Sequence, residues 1–117
     1  MYIKTTSTEA NSTKHASACY EINLYDGSSL AGKTITLTSK ASSNVSSYNY
    51  CSVEYRDKNN AYLDYQLVSK TTDFTTDSFV IPSGAYYVIL RINQSYEGTA
   101  ETEFIINSLI IDGEQII

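Results

Sequence analysis

The clearest alternation of apolar and polar positions runs through residues 86–93. Tyr86, Val88, Leu90 and Ile92 share one phase, and Tyr87, Ile89, Arg91 and Asn93 share the other. A period of two is that of a β-strand with one buried face. A run this apolar suits the middle of a sheet better than an edge, where it would template association. Upstream, residues 74–81 form another extended segment, closed by Pro82, Ser83 and Gly84. Proline cannot donate to a ladder and glycine tolerates positive φ, so a turn is predicted there, with residues 79–93 read as a hairpin.

The same period recurs along the chain. A short strand is predicted over residues 2–5, in a polar opening, residues 1–14, that otherwise reads as loop or linker. Tyr20, Ile22 and Leu24 alternate with Glu21, Asn23 and Tyr25 until Asp26 and Gly27 break the pattern. Ile35 and Leu37 point inward between Thr34, Thr36 and Thr38, and the polar residues 39–47 follow as a long, candidate functional loop. Over residues 48–56, Cys51, Val53 and Tyr55 form the inward set, against Tyr48, Tyr50, Ser52, Glu54 and Arg56. After a turn at 57–60, Leu63, Tyr65 and Leu67 are read as inward, with Tyr62, Asp64, Gln66 and Val68 outward. Residues 99–112 are too apolar for pure alternation and predict a bulge near Asn107 and Ser108.

About eight short strands without a helical period define an all-β fold, an antiparallel two-sheet β-sandwich. The 117 residues suit a single domain over 1–117. Its expected core holds Tyr20, Ile22, Leu37, Val53, Leu67, Phe79, Val88, Leu90, Phe104 and Ile106.

Composition narrows the function. A net charge of −5, with lysine and arginine scattered singly, disfavours nucleic acid and anionic membrane surfaces as partners. No apolar run approaches the roughly 18 residues of a membrane span, and the N-terminus has no charged start followed by an apolar stretch, so no membrane insertion is expected. Cys19 and Cys51 form no metal-ligand pattern, and strand parity places them on opposite faces, which favours two thiols over a bridge.

Three stretches carry a family resemblance. Leu30, Ala31, Gly32 and Lys33 lead into the strand of Ile35 and Leu37; Phe79, Val80 and Ile81 run into Pro82, Ser83 and Gly84; Gly98 and Thr99 lead to Phe104, Ile105, Ile106, Asn107 and on to Asp112 and Gly113. Together they resemble the jelly-roll carbohydrate-binding-module-like domains of secreted glycoside hydrolases and of phage tail and baseplate proteins. The likeness covers roughly residues 18–113, in motifs that encode strands and turns and so speak for fold more than for ligand. It implies a lectin-like jelly roll whose concave sheet, or the loops at one end, binds a glycan in an extracellular, cell-surface or virion-associated setting. Where many members place a calcium-ligating aspartate in the final strand, this chain has Asn107, and where many stack sugars on tryptophan it has only tyrosine.

Sugar recognition needs flat aromatic faces for C–H patches and planar polar groups for hydroxyls. The candidate ligand-binding residues are Tyr48, Tyr50, Glu54 and Arg56 of one strand, Asp64 and Gln66 of the next, and Tyr87, Arg91 and Asn93 of the strand after the proline turn. In this reading Tyr50 and Tyr87 stack, Arg56, Gln66, Arg91 and Asn93 donate, and Glu54 and Asp64 accept. The plainer reading is that strands simply expose polar residues. His15 stands alone in a serine- and threonine-rich segment, beside no nucleophile motif. Glu54 and Asp64 could in principle pair as glycosidase carboxylates, but neighbouring arginines would keep both ionised, so no enzyme is expected. Asp26, Asp112 and Glu114 read as turn acids before they read as calcium ligands, and no cofactor is expected.

The expected function is that of a non-catalytic carbohydrate-binding module attaching a larger bacterial or phage assembly to a surface polysaccharide. The alternative is a spacer or oligomerisation domain of a phage tail or surface protein, self-associating and without glycan binding.

Overall fold

The computed structural model describes residues 2–6, 18–24, 28–41, 51–69, 71–93 and 101–117. Among them there is no helix, and nine strands follow one another: β1 (Tyr2–Thr6), β2 (Ala18–Leu24), β3 (Thr34–Ala41), β4 (Cys51–Arg56), β5 (Tyr62–Leu67), β6 (Thr75–Val80), β7 (Tyr87–Asn93), β8 (Glu101–Ile111) and β9 (Glu114–Gln115). A five-stranded sheet has the order β1-β8-β3-β6, with β9 added to β8, and a four-stranded sheet has the order β2-β7-β4-β5. Every pairing is antiparallel.

The pairs β1–β8, β2–β7, β3–β6 and β4–β5 are nested, first strand with last, and fall alternately in the two sheets. A long hairpin folded over on itself has this connectivity, which is that of an eight-stranded jelly roll. It corrects one expectation. The segments before and after Pro82 are not a hairpin, because β6 pairs β3 in one sheet whereas β7 pairs β2 and β4 in the other. The turn is a corner between sheets: Ala85 N donates to Pro82 O at 3.3 Å, and Gly84 takes a φ of 84°, as the third position of a type II turn requires. The strand after it is central, as its apolar phase predicts.

The core lies between the sheets. Ile35, Leu37, Phe104, Ile106 and Leu109 face Cys51, Val53, Tyr55, Val88 and Leu90, all buried, while Leu30, Ile81 and Ala85 close one end. Each large apolar side chain removed from water this way contributes about 1.5–3 kcal/mol. β3 runs on through Ser39 to Ala41, both buried, so the predicted loop begins later than its polarity suggests.

The bulge in β8 falls where the sequence places it. Thr38 pairs Ser108 but Ser39 pairs Ile106, which leaves exposed Asn107 as the extra residue. The phase shift lets Phe104 and Ile106 before it, and Leu109 and Ile111 after it, all reach the core. Asp112 and Gly113, with φ of 52° and 82°, then form a two-residue turn of the kind that favours Asp-Gly and return the chain as β9.

β2 carries a register shift between Ala18 and Tyr20, which makes Cys19 the extra residue. β7 lies between β2 and β4, so the backbones of Cys19 and Cys51 stand two strand spacings apart, roughly 10 Å. A disulfide rarely spans more than about 7 Å between Cα atoms, which fits the expectation of two thiols.

The faces of β5 reverse the predicted assignment. Val53 pairs Gln66 and Tyr55 pairs Asp64, so Gln66 and Asp64 lie on the core side of the sheet, where Val68 is buried and Leu67 is not. Tyr65 and Leu67 point outward, across from Glu54 and Ser52. Leu67 is 50% exposed and leaves the core list, and Phe79 is half-buried at its margin. The reason is local: β5 is an edge strand, exposed on both faces, so its alternation carries no record of burial. Of the other expected core residues, Leu37, Val53, Val88, Leu90, Phe104 and Ile106 are buried, and the side chains of Tyr20 and Ile22 lie outside the described residues.

Candidate functional site

The outer face of the four-stranded sheet is built from alternate residues of β4, β5 and β7. Register fixes three rows across it: Tyr87, Arg56 and Tyr62; then Ile89, Glu54 and Tyr65; then Arg91, Ser52 and Leu67. Tyr62 and Tyr65, three apart in sequence, share this face because a register shift between Tyr55 and Arg56 makes Leu63 an extra residue.

At the centre sits Glu54, only 8% exposed although it faces outward. Arg56 Nε and one terminal nitrogen approach Glu54 Oε2 at 2.9 and 2.8 Å, and Arg91 approaches Oε1 at 3.4 Å. Arg56 also reaches Asn60 Oδ1 at 3.5 Å. Asn60 is held at a φ of 64° in a turn closed by Asp57, whose Oδ1 accepts from Asn59 N at 2.8 Å and Ala61 N at 2.9 Å. Glu54 thus bridges the two guanidinium groups, and the 57–60 turn adds a contact to Arg56. Beside them Tyr62 and Tyr65 stand 57% and 45% exposed, their rings open to solvent. The Tyr62 hydroxyl is raised above the ordinary tyrosine range by partial desolvation first, then by Asp64, Tyr65 and Glu54.

Of the nine expected ligand-binding residues, the structure brings together four: Glu54, Arg56, Tyr87 and Arg91 share the outer face. Asp64 and Gln66 belong to the opposite face by the register of β5, and this corrects the expectation. Gln66 Oε1 accepts from the Tyr55 hydroxyl at 2.5 Å, and Asp64 Oδ1 accepts from Tyr65 N at 2.8 Å. Tyr48 and Tyr50 lie outside the described residues. Asn93 lies in the β7 backbone, with its side chain outside them.

Because Glu54 and Asp64 point to opposite faces, they cannot flank one glycosidic bond as a carboxylate pair. His15 and Asp26 lie outside the described residues. Asp112 and Glu114 are exposed residues of the β8–β9 turn region. Among the described residues no three His, Cys, Asp or Glu side chains gather in a group able to hold a metal. Among them, too, no helix is long and apolar enough to cross a membrane.

Sequence reasoning missed Tyr65 and Leu67 as outward residues and passed over Tyr62 as a site residue. One weak signal existed: a core tyrosine on β4 needs a partner for its hydroxyl, and Gln66 can supply one where leucine cannot.

Fold and face together define the class, a jelly-roll β-sandwich with an open aromatic and ionic sheet face. No known protein-family model matches the chain, and no curated protein matches it. A chain in a solved structure, the Glycosylation Associate Protein (Gap123) complex from Streptococcus agalactiae, aligns over 97% of this chain with a TM-score of 0.58 and 13% identity. This chain covers 39% of that one, and at such identity the likeness shows the fold alone.

Proposed function

We propose that the protein is a non-catalytic carbohydrate-binding module whose glycan lies on the outer face of the four-stranded sheet. The observation that carries this reading is the pair of exposed rings, Tyr62 and Tyr65, beside the guanidinium groups that Glu54 holds in place. A pyranose offers an apolar C–H face to a tyrosine ring and a rim of hydroxyls to fixed planar donors. Arg56 and Arg91 remain about one-third exposed at the side chain, which leaves edge area for those hydroxyls. Relative to the sequence reading, stacking moves from Tyr50 and Tyr87 towards Tyr62 and Tyr65, and Asp64 and Gln66 leave the site.

The jelly-roll architecture, shared with the structural neighbour, supports the reading. In this role the module attaches a larger bacterial or phage assembly to a surface polysaccharide, in an extracellular, cell-surface or virion-associated setting and without a cofactor. An open face buries little of each sugar and first desolvates polar groups, so affinities are micromolar to millimolar, roughly −8 to −4 kcal/mol.

A glycan array including bacterial wall polysaccharides, followed by titration calorimetry on each hit, tests this. Binding lost in Tyr62→Ala or Tyr65→Ala supports it. An array without hits, or a hit indifferent to both changes, overturns it and leaves the second reading, a spacer or assembly domain. That second reading draws on a different observation, the apolar side chains exposed along β5.

A further inference from the structure

β5 ends the four-stranded sheet, and among the described residues no strand lies beside its outer edge. Val68 N donates to Cys51 O at 3.0 Å. Antiparallel alternation then turns the main-chain groups of Gln66 and Asp64 towards β4 and those of Tyr65 and Leu67 away from the sheet. Edge strands usually carry lysine, proline or a covering loop against pairing. β5 has neither lysine nor proline, and Tyr62, Leu63, Tyr65 and Leu67 are exposed at 57, 38, 45 and 50%. Among the described residues its guard is Asp64, whose Oδ1 accepts from the outward Tyr65 N–H at 2.8 Å. β6, an edge of the other sheet, is instead threonine, aspartate and serine over its first four residues.

We infer that a second copy of this chain pairs with β5 antiparallel across a two-fold axis at Tyr65, fusing two four-stranded sheets into one of eight strands. The strand is self-complementary in that register. Tyr65 meets its own copy and exchanges both main-chain hydrogen bonds with it. Asp64 stands opposite the second copy's Gln66 on the core-side face. Gln66 Oε1 already accepts from Tyr55, so its amide NH2 is the donor that draws the Asp64 carboxylate off Tyr65 N. Leu67 stands across from the second copy's Leu63, the extra residue of the bulge, so an apolar residue lies near an apolar one at both ends. A shift by one residue would place inward residues opposite outward ones, which a continuous sheet forbids. A six-residue strand pair is small beside the roughly 800 Å² per partner of a stable complex, so the dimer is weak, with Kd on the order of 100 µM. It sets the two outer faces edge to edge, with both Tyr65 rings adjacent. The pairing itself does not depend on glycan binding.

Sedimentation velocity between about 10 µM and 1 mM tests it, the range bracketing that Kd. The expected result is a concentration-dependent monomer to dimer shift. Tyr65→Lys and Tyr65→Glu should each remain monomeric throughout, since like charges then face each other at the axis. An equimolar mixture of the two should dimerise again, at least tenfold more tightly than either alone, which only a register centred on residue 65 predicts. Far-UV circular dichroism matching the parent checks that each variant folds. A parent monomeric at 1 mM, a dimer indifferent to Tyr65→Lys, a mixture that stays monomeric, or open growth beyond two copies would each overturn the inference.

Discussion

The Tyr55 hydroxyl donates to Gln66 Oε1 at 2.5 Å from a ring that is only 1% exposed, and this contact marks the core-side face of β5. The hydroxyl is pushed up from 10.0 to about 12, by desolvation first and by the charge of Asp64 second. The folded chain thus holds this proton more tightly than the unfolded chain does. The stabilisation is complete below about pH 10 and is lost as pH rises towards 12. Tyr55→Phe should cost about 1 kcal/mol at pH 8, and the gap between parent and variant should narrow between pH 10 and 11.5 in urea titrations. A gap constant over that range would remove Tyr55 as the titrating group.

Leu90 and Leu67 separate burial from mere alternation. Leu90 is fully buried between the sheets, whereas Leu67 is half exposed on an edge strand. Leu90→Ala should therefore cost about 2–5 kcal/mol, the cavity term included. Leu67→Ala should cost under about 1 kcal/mol. Equal losses in denaturant titrations would place β5 in the opposite phase.

Strands with a face on the core were legible in the sequence because the core writes its period into them. β3, β4 and β7 show this directly: Ile35 and Leu37, Val53 and Tyr55, and Val88 and Leu90 are all buried, and the alternation alone assigns them inward. The Asn107 bulge was legible for a related reason, since four large residues, Phe104, Ile106, Leu109 and Ile111, cannot all face inward without a phase shift. β5 was not legible. Its Leu63, Tyr65 and Leu67 mimic a core face, and only the pairing with β4 shows otherwise. The proline turn misled in another way, because a turn that links two strands looks the same locally whether they pair or part into different sheets. The lost phase of β5 is why Asp64 and Gln66, two of the nine candidate residues, were misplaced. Glu54, Arg56, Tyr87 and Arg91 lie on strands whose faces burial fixed, and the site's misassigned members lie on the strand where it did not.

The Glu54 cluster should behave as one unit. Glu54→Gln keeps the shape but leaves two guanidinium groups without a carboxylate between them. With Arg56 and Arg91 about one-third exposed, water screens part of the loss, so about 1–2 kcal/mol is expected rather than the larger cost of a fully buried pair. A double-mutant cycle of Glu54→Gln with Arg56→Met should show a coupling of at least about 0.5 kcal/mol. Additive effects would mean that the contact contributes nothing.

Glycan binding, if it uses the outer face, should discriminate between neighbours on the same strand. Tyr62 and Tyr65 point to one side of β5 and Asp64 and Gln66 to the other, so a ligand on the tyrosine side cannot touch both sets. Tyr62→Ala and Tyr65→Ala should each weaken binding about tenfold, near 1.4 kcal/mol, as expected for losing an aromatic platform at a shallow site. Gln66→Ala should leave affinity within about twofold while lowering stability through the Tyr55 hydroxyl, so calorimetric titration and thermal melting should move independently in that variant. Asp64→Ala serves as a second control, read at protein concentrations low enough to keep the chain monomeric. Should Gln66→Ala abolish binding to a polysaccharide that Tyr62→Ala and Tyr65→Ala still bind, the ligand lies on the core-side flank of β5, and the outer face serves only to hold the fold together.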